Sequence, residues 1–223
     1  MKKMSNKGFT LIELLAVITI MGILMLVAIP AVTRTIENSR RDTFADVAGE
    51  YLNAVRNGVL ADEIHCTYLA DDGTTVVDYV VASALPDGVY YFPICTTEGN
   101  TVCTAVSSPA ALAETAIKQS TLDILETGGK SPFGNADVYG YVTWEKKTDS
   151  GKSKTEYRIL LQDSGQHGLA AEHTSKELKR SNVIPNLKGT SGAGTTSNIK
   201  TNVKGDESSN NGFGAPRGVC KVA

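Results

Sequence analysis

One long apolar run dominates the hydrophobic pattern of the chain. Residues 9–32 contain a single charged side chain, Glu13, in 24 positions. As a helix this run would reach roughly 36 Å, which exceeds a hydrocarbon core of about 30 Å. Residues 1–8 carry Lys2, Lys3 and Lys7 and no acid. We therefore expect a membrane-spanning helix with its N-terminus in the cytoplasm and everything after residue 32 outside.

A cleaved secretory signal peptide is the alternative interpretation of this run. The run is long for the apolar core of such a signal, and the sequence around Ala28 and Ala31 offers no A-x-A cleavage site. An acid near the start of the apolar run is also unusual for a plain signal. The pattern therefore favours a membrane span.

Beyond residue 32 the helical pattern continues but becomes amphipathic. Apolar residues recur at spacings of three, four or eight, and charged residues occupy the other faces. This stripe predicts a helix through residues 33–60 that docks a globular domain, with Gly58 and Asp62 marking its end. The stripe comprises Val32, Ile36, Phe44, Val47, Tyr51, Val55 and Val59.

Residues 61–223 form the predicted globular head, and their pattern is that of an α+β fold. A Pro-Asp-Gly turn separates the first two predicted strands, and a polar stretch at residues 148–152 joins the last two into a hairpin. Ser108 and Pro109 are typical of a helix start. The predicted strands cover residues 74–81, 88–92, 138–144 and 156–161, and the predicted extra helix covers residues 110–125.

Composition and charge add two restrictions. The chain is 41% hydrophobic, and its 22 basic and 24 acidic residues give a net charge of −2. This balance excludes a wholly disordered chain and gives no reason to expect nucleic acid binding, which needs a concentrated basic face. Within residues 188–214, 18 of 27 residues are Gly, Ser, Thr or Asn, a composition typical of a flexible surface segment.

No catalytic or cofactor site emerges from the remaining motifs. Asp163, Ser164 and His167 are the residue types of a hydrolase triad, but they lie too close in the chain for its geometry, and a turn after a strand explains them better. Asp71-Asp72-Gly73 offers oxygen ligands for calcium but is more often a bare turn. We therefore predict a protein that is not an enzyme and has neither a cofactor nor a bound metal.

The N-terminal sequence itself resembles a known signal. Residues 7–15, Lys-Gly-Phe-Thr-Leu-Ile-Glu-Leu-Leu, are similar to the prepilin processing site of type IV pilins and type II secretion pseudopilins. The resemblance implies a peptidase that cuts between Gly8 and Phe9 and then methylates the Phe9 amino group. It covers about the first 25 residues. It also implies the pilin-like plan, a long N-terminal helix packed on an antiparallel sheet head, with residues 1–8 as the leader peptide and residues 9–32 as the membrane and assembly helix.

Glu13 has two interpretations. Thr10-Leu11-Ile12-Glu13 fits the S/T-x-x-E capping box, and the helix dipole favours an acid at this position. The resemblance implies instead that Glu13 neutralises the Phe9 amino group of a neighbouring subunit. The two roles are compatible, since both need a helix that starts near Phe9.

Two residues of the apolar run weaken a helix. Pro30 removes a backbone hydrogen bond, and Gly22 lacks a side chain. Both residues are common in membrane helices, where they are simply tolerated. The family resemblance implies that the segment between them unwinds when subunits pack into a filament.

The four cysteines, Cys66, Cys95, Cys103 and Cys220, all lie on the predicted outer side. An oxidising compartment and an even count favour disulfides. Four cysteines permit three pairings. The short loop between Cys95 and Cys103 favours these two as local partners, with Cys66 then paired to Cys220. Free thiols are one alternative. Zinc held by these thiolates, with His65 as a further ligand, is another, but the C-x-x-C spacing of such sites is missing.

The function that follows is a structural one. The resemblance implies a pilin, a subunit stored in the cytoplasmic membrane and assembled through its N-terminal helix into a surface filament. Its implied partners are copies of itself, other pilins, the prepilin peptidase and methyltransferase, and the assembly platform with its ATPase. The alternatives are a pseudopilin of a secretion or DNA-uptake machine and, in a different class, a membrane-anchored binding or enzymatic head that uses only the signal.

Overall fold

The computed structural model describes residues 10–72, 74–95, 130–134, 136–163, 165, 167–185, 187 and 217–222. By its internal contacts the chain divides into two compact units, residues 1–39 and residues 40–223. The predicted helix at residues 110–125 and the whole low-complexity segment at residues 188–214 lie outside the described residues.

The first element is a helix of 50 residues, α1, which spans Leu11–Leu60. Its end follows from local chemistry. Asp62 adopts the left-handed conformation with φ of 56°, and the amide of Glu63 donates to the carbonyl of Gly58 at 3.0 Å. The Asp62 carboxylate in turn accepts hydrogen bonds from the amide and the hydroxyl of Ser83, both at 2.9 Å. A helix end near these residues was predicted from the positions of Gly58 and Asp62.

The described strands of the head form one eight-stranded sheet. They are β1 (Ile64–Leu69), β2 (Val76–Val81), β3 (Gly88–Cys95), β4 (Val138–Asp149), β5 (Lys152–Asp163), β6 (Gly168–Leu169), β7 (Val183–Ile184) and β8 (Gly218–Val222). Their order is β2-β1-β8-β3-β4-β5-β6-β7. The pairs are antiparallel except for β3 with β8, which run parallel. The predicted α+β arrangement is confirmed, and the sheet is mixed because β8 inserts between β1 and β3.

The hairpin of β4 and β5 is longer than the sequence pattern predicts. The ladder runs without interruption from Val138 paired with Asp163 to Asp149 paired with Lys152. Ser150 and Gly151 form the two-residue turn with φ of 50° and 78°, as tight hairpins require. The prediction placed residues 148–152 in a polar connection. It was wrong because these polar residues continue the strands into solvent, where alternation with a buried face is no longer needed.

The core of the head lies between the sheet and the second part of α1, from Arg40 to Leu60. The packed part of the predicted stripe begins at Phe44, whereas Val32 and Ile36 are exposed. Tyr90 and Trp144 stack in the sheet with ring centroids 5.9 Å apart, and both are buried. The residues of α1 that are buried in this unit are Phe44, Ala45, Ala48, Tyr51, Leu52, Ala54, Val55 and Gly58.

Candidate functional site

The start of α1 carries the side chains that the N-terminal motif singles out. The amide of Thr10 donates to the Glu13 carboxylate at 2.9 Å, and the amide of Glu13 donates to the Thr10 hydroxyl at 3.3 Å. These two reciprocal bonds are a capping box. The capping geometry that the spacing predicts is therefore present in the single chain, with both residues exposed. Gly8 and Phe9, on either side of the predicted cleavage point, lie outside the described residues.

The first part of α1 presents apolar side chains in every direction. Every large apolar residue from Leu11 to Val32 is at least 51% exposed. In the described part of the chain, α1 is the one helix that is long and apolar enough to cross a membrane. An apolar surface of this size needs a lipid or protein environment. The segment therefore has the properties of a membrane anchor.

Gly22 and Pro30 both lie within the continuous helix. Apart from its chain neighbours and the nearby helix backbone, no atom lies within 4 Å of the position where a Cβ of Gly22 would be. Packing inside the chain therefore does not require a glycine at this position. Near Pro30, the Thr33 hydroxyl donates to the carbonyl of Ile29 and the Thr35 hydroxyl donates to the carbonyl of Ala31 at 3.0 Å. These hydroxyls add bonds to carbonyls on either side of Pro30, whereas the helical bond that the proline removes would have ended on the carbonyl of Leu26.

A disulfide joins Cys66 of β1 to Cys220 of β8. The two residues are direct antiparallel partners with Cα atoms 4.0 Å apart, and both are buried. This is the long-range pairing that the order of the cysteines predicts. Cys103 lies outside the described residues, so the Cys95–Cys103 pairing stays a prediction.

Arg217 fixes the start of β8 next to this disulfide. Its guanidinium donates to the carbonyls of Leu69 and Asp87, both at 2.9 Å, and contacts the Asp71 carboxylate at 2.5 Å. It also lies over the Tyr68 ring, 5.3 Å from the centroid. One side chain therefore connects the C-terminal strand to three other parts of the head.

The zinc alternative does not fit this geometry. Sulfur atoms bonded to each other cannot both act as thiolate ligands. Moreover, no group of three or more His, Cys, Asp or Glu side chains in the described ranges is placed to hold a metal ion.

Asp72 of the acidic pair considered for calcium serves a turn instead. Its carboxylate accepts hydrogen bonds from the amides of Thr74 and Thr75 at 2.9 and 2.8 Å, and from the Thr75 hydroxyl. The Thr75 hydroxyl and these amides lower the pKa of Asp72 to about 2. The neighbouring Asp71 carboxylate contacts Arg217, so both acids of the pair are engaged in local contacts.

Asp163 and His167 do meet, whereas Ser164, the serine of the considered triad, lies outside the described residues. Asp163 is fully buried, and it accepts hydrogen bonds from the His167 amide at 2.8 Å and from the Ser131 hydroxyl at 2.6 Å. The His167 Nδ1 lies 2.9 Å from the same carboxylate, and Phe133 stacks on the ring at 4.3 Å. In a hydrolase triad the serine hydroxyl hydrogen-bonds to the histidine, whereas the Ser131 hydroxyl donates its hydrogen bond to Asp163. The cluster ties the loop before β4 to the turn after β5.

Sequence reasoning missed a buried acid in the segment between β6 and β7. Glu172 is 6% exposed, and its Oε2 accepts a hydrogen bond from the Thr143 hydroxyl at 3.0 Å. Burial raises its pKa to about 8, while Tyr141, Thr143 and the charge of Arg158 act in the opposite direction. Nothing in the local pattern distinguishes this glutamate from a surface one, because its burial depends on strands that come earlier in the chain.

The shifted pKa of Glu172 predicts how the stability of the head depends on pH. The folded form holds the proton up to about pH 8, whereas the unfolded chain releases it near the ordinary value of 4.5. Stability is therefore lost as pH rises through this window. Relative to Glu172→Gln, which stays neutral, the free energy of unfolding of the wild type should fall by about 2–3 kcal/mol between pH 5 and pH 7.

Urea unfolding followed by fluorescence of the single tryptophan, Trp144, measures this difference. Titration of His173 is common to both proteins and cancels in the comparison. If the difference in free energy of unfolding between the wild type and Glu172→Gln stayed constant from pH 5 to pH 7, the prediction would be contradicted.

Comparison with known proteins bears on the N-terminal segment. The model of the prokaryotic N-terminal methylation motif matches residues 3–29. No curated protein and no solved structure matches the chain. The match covers most of the basic leader, the capping box, Gly22 and most of the exposed apolar run. The N-terminal segment therefore carries a prokaryotic N-terminal methylation motif, the class III signal that supports a type IV pilin-like prepilin.

Proposed function

We propose that the chain is a structural subunit of a type IV pilus-like filament. The observation that carries this proposal is the continuity of the methylation motif at residues 3–29 with an apolar helix that is exposed on all sides. A helix of this kind is stable in the membrane before assembly and among other apolar helices after it. The head, which has its own core and an internal disulfide, suits the outer surface of such a filament.

Processing precedes assembly in this proposal. Removal of residues 1–8 takes away Lys2, Lys3 and Lys7 and exposes the amino group of Phe9. This amino group carries a positive charge at the end of an apolar helix, and an unpaired charge is costly in an apolar environment. The Glu13 carboxylate of a neighbouring subunit is the partner of opposite charge within the same run.

The capping box restrains this carboxylate in the single subunit. Glu13 accepts its hydrogen bond from the amide of Thr10, only three residues away. In the filament the carboxylate would pair with a full positive charge, which is a stronger interaction than that with a neutral amide. We therefore place the exchange of partners at the step of subunit addition, with the segment between Gly22 and Pro30 as the part of the helix that unwinds.

Cleavage between Gly8 and Phe9 is the first testable consequence. Mass spectrometry of the N-terminal peptide should find a chain that starts at Phe9 with a methylated amino group. Replacing Gly8 with a bulky residue should leave the leader attached, because the motif has a small residue at the cut. Assembled filaments that retain Lys2 and Lys3 would refute the assignment. The membrane-anchored alternative predicts a processed protein that is never recruited into filaments.

A further inference from the structure

A groove lies on the head beside the second part of α1. It has a volume of about 870 Å³ and is formed by the end of the helix, the hairpin of β4 and β5, and residues 174–176. Its floor is apolar and aromatic, with Leu52, Trp144 and Tyr157, and Leu60 at its edge is 71% exposed. An apolar floor with a charged rim is the anatomy of a protein interface.

The rim of this groove is basic. Arg56, Lys146, Lys154 and Lys176 line it, and Glu156 is the one acid among the lining residues. Glu156 is itself paired with Arg158 at 3.2 Å. Lys146 donates to the carbonyls of Ser83 and Leu85, both at 2.7 Å. Arg56, Lys154 and Lys176 have no such partner in the described part of the head, so three cations are available around the groove.

The same chain carries an acidic surface on α1, formed by Asp42, Asp46 and Glu50, whose charge is opposite to that of the groove's rim. Asp42, Asp46 and Glu50 recur at every fourth position of α1 and are exposed. Asp42 lies 3.5 Å from Arg180, whereas Asp46 and Glu50 have no ion pair within the described residues. At 3.6 residues per turn, these two acids lie roughly 80° and 120° around the helix axis from Arg56. The two acids and the Arg56 side of the basic groove therefore lie on different faces of α1.

We propose that the acidic surface around Asp46 and Glu50 of one subunit docks on the basic groove of the next. This inference rests on the proposed function and names the head contact within the filament. Complementary charge is what selects a second copy of the chain as the occupant. Because groove and acidic surface are different patches of one molecule, the contact is heterologous. Such a contact propagates into an open filament when its rotation does not close a ring.

Charge reversal in the full chain tests this contact. In cells with an intact assembly machinery, Lys154→Glu with Lys176→Glu should lower filament yield at least tenfold at an unchanged level of processed subunit. Asp46→Lys with Glu50→Lys should do the same. The four substitutions together should restore the yield to within about threefold of the wild type, because the attraction is re-formed with reversed signs.

The matched control is Lys152→Glu with Lys179→Glu, which alters net charge equally at exposed lysines outside the groove. This variant should assemble like the wild type. Wild-type yield from the groove variant, or failure of the fourfold variant to recover, would overturn the proposed contact. Absence of filaments from the wild-type chain would instead refute the proposed function.

Photocrosslinking tests the contact independently of yield. A benzoylphenylalanine in place of Lys154 in assembled filaments should crosslink to the tryptic peptide of residues 42–56 from another subunit. The same group in place of Lys152 should not. Crosslinks from Lys154 only to other peptides, or to a different protein, would overturn the proposal even if the charge-reversed variants lose filaments through misfolding.

Discussion

Replacing Glu13 with alanine should leave a processed, membrane-inserted subunit that assembles about a hundredfold less. The change removes the only charge between residues 9 and 32, so insertion becomes easier. The cut lies five residues upstream of Glu13 in the sequence and should tolerate the change. In the filament, however, the Phe9 amino group would lose its partner.

The size of the expected loss of assembly distinguishes the two roles of Glu13. A buried charge left without its partner costs roughly 3–5 kcal/mol per subunit. Even the lower bound disfavours each addition by about two orders of magnitude. Loss of the capping box alone costs only about 0.5–2 kcal/mol and should leave filaments of near-normal abundance.

The structure supplies the control for this experiment. Thr10→Ala removes the hydroxyl that caps the Glu13 amide but keeps the carboxylate. Filament yield, divided by the amount of processed subunit in the membrane, should fall strongly for Glu13→Ala and little for Thr10→Ala. Normal filaments from Glu13→Ala, or equal losses from both variants, would show that Glu13 is only a cap.

Loss of the Cys66–Cys220 disulfide should be the largest single destabilisation of the head. The bond joins residues separated by 154 positions. In the chain-entropy model a loop of this length contributes about 5 kcal/mol, above the usual 2–4 kcal/mol. A loss of this size is comparable to the whole stability of many domains, so the double variant Cys66→Ala with Cys220→Ala should unfold at a much lower urea concentration.

The matched control is Cys95→Ala with Cys103→Ala. If these residues pair, their short loop predicts that the free energy of unfolding falls by only about 2–3 kcal/mol. Urea unfolding of the full chain in detergent, followed by Trp144 fluorescence, gives both values, because Trp144 is the single tryptophan and is buried in the core. Equal stability of the two double variants, or free thiols at Cys66 and Cys220 in peptide mapping, would contradict the prediction.

The elements that could be predicted from the sequence are those with a local physical cause. Thr10 and Glu13 are three residues apart, so their spacing alone predicts the capping box. The helical periodicity likewise predicts the contact of Phe44, Tyr51 and Val55 with the head, all of which are buried. The clear hairpin was also predicted, although its strands extend further because a tight Ser150-Gly151 turn replaces the expected loop.

Glu172 and Ser131 show where such prediction stops. Each is an ordinary polar residue in its own segment, and its role depends on a partner 29 or 32 positions away in the chain. The basic groove is a similar case, since Arg56, Lys154 and Lys176 come from three separate segments. A pattern of spacing carries no information about contacts of this kind.

The anchoring helix, its cap and the processing motif follow from the amino-acid sequence alone, because membrane crossing and helix capping depend on residues that are close together in the chain. The tertiary structure was needed to show that β8 inserts between β1 and β3, that this insertion brings Cys220 to Cys66, and that Glu172 is buried with a raised pKa. These features depend on which distant strands become neighbours. That choice is made by the packing of the whole core, which no single segment encodes.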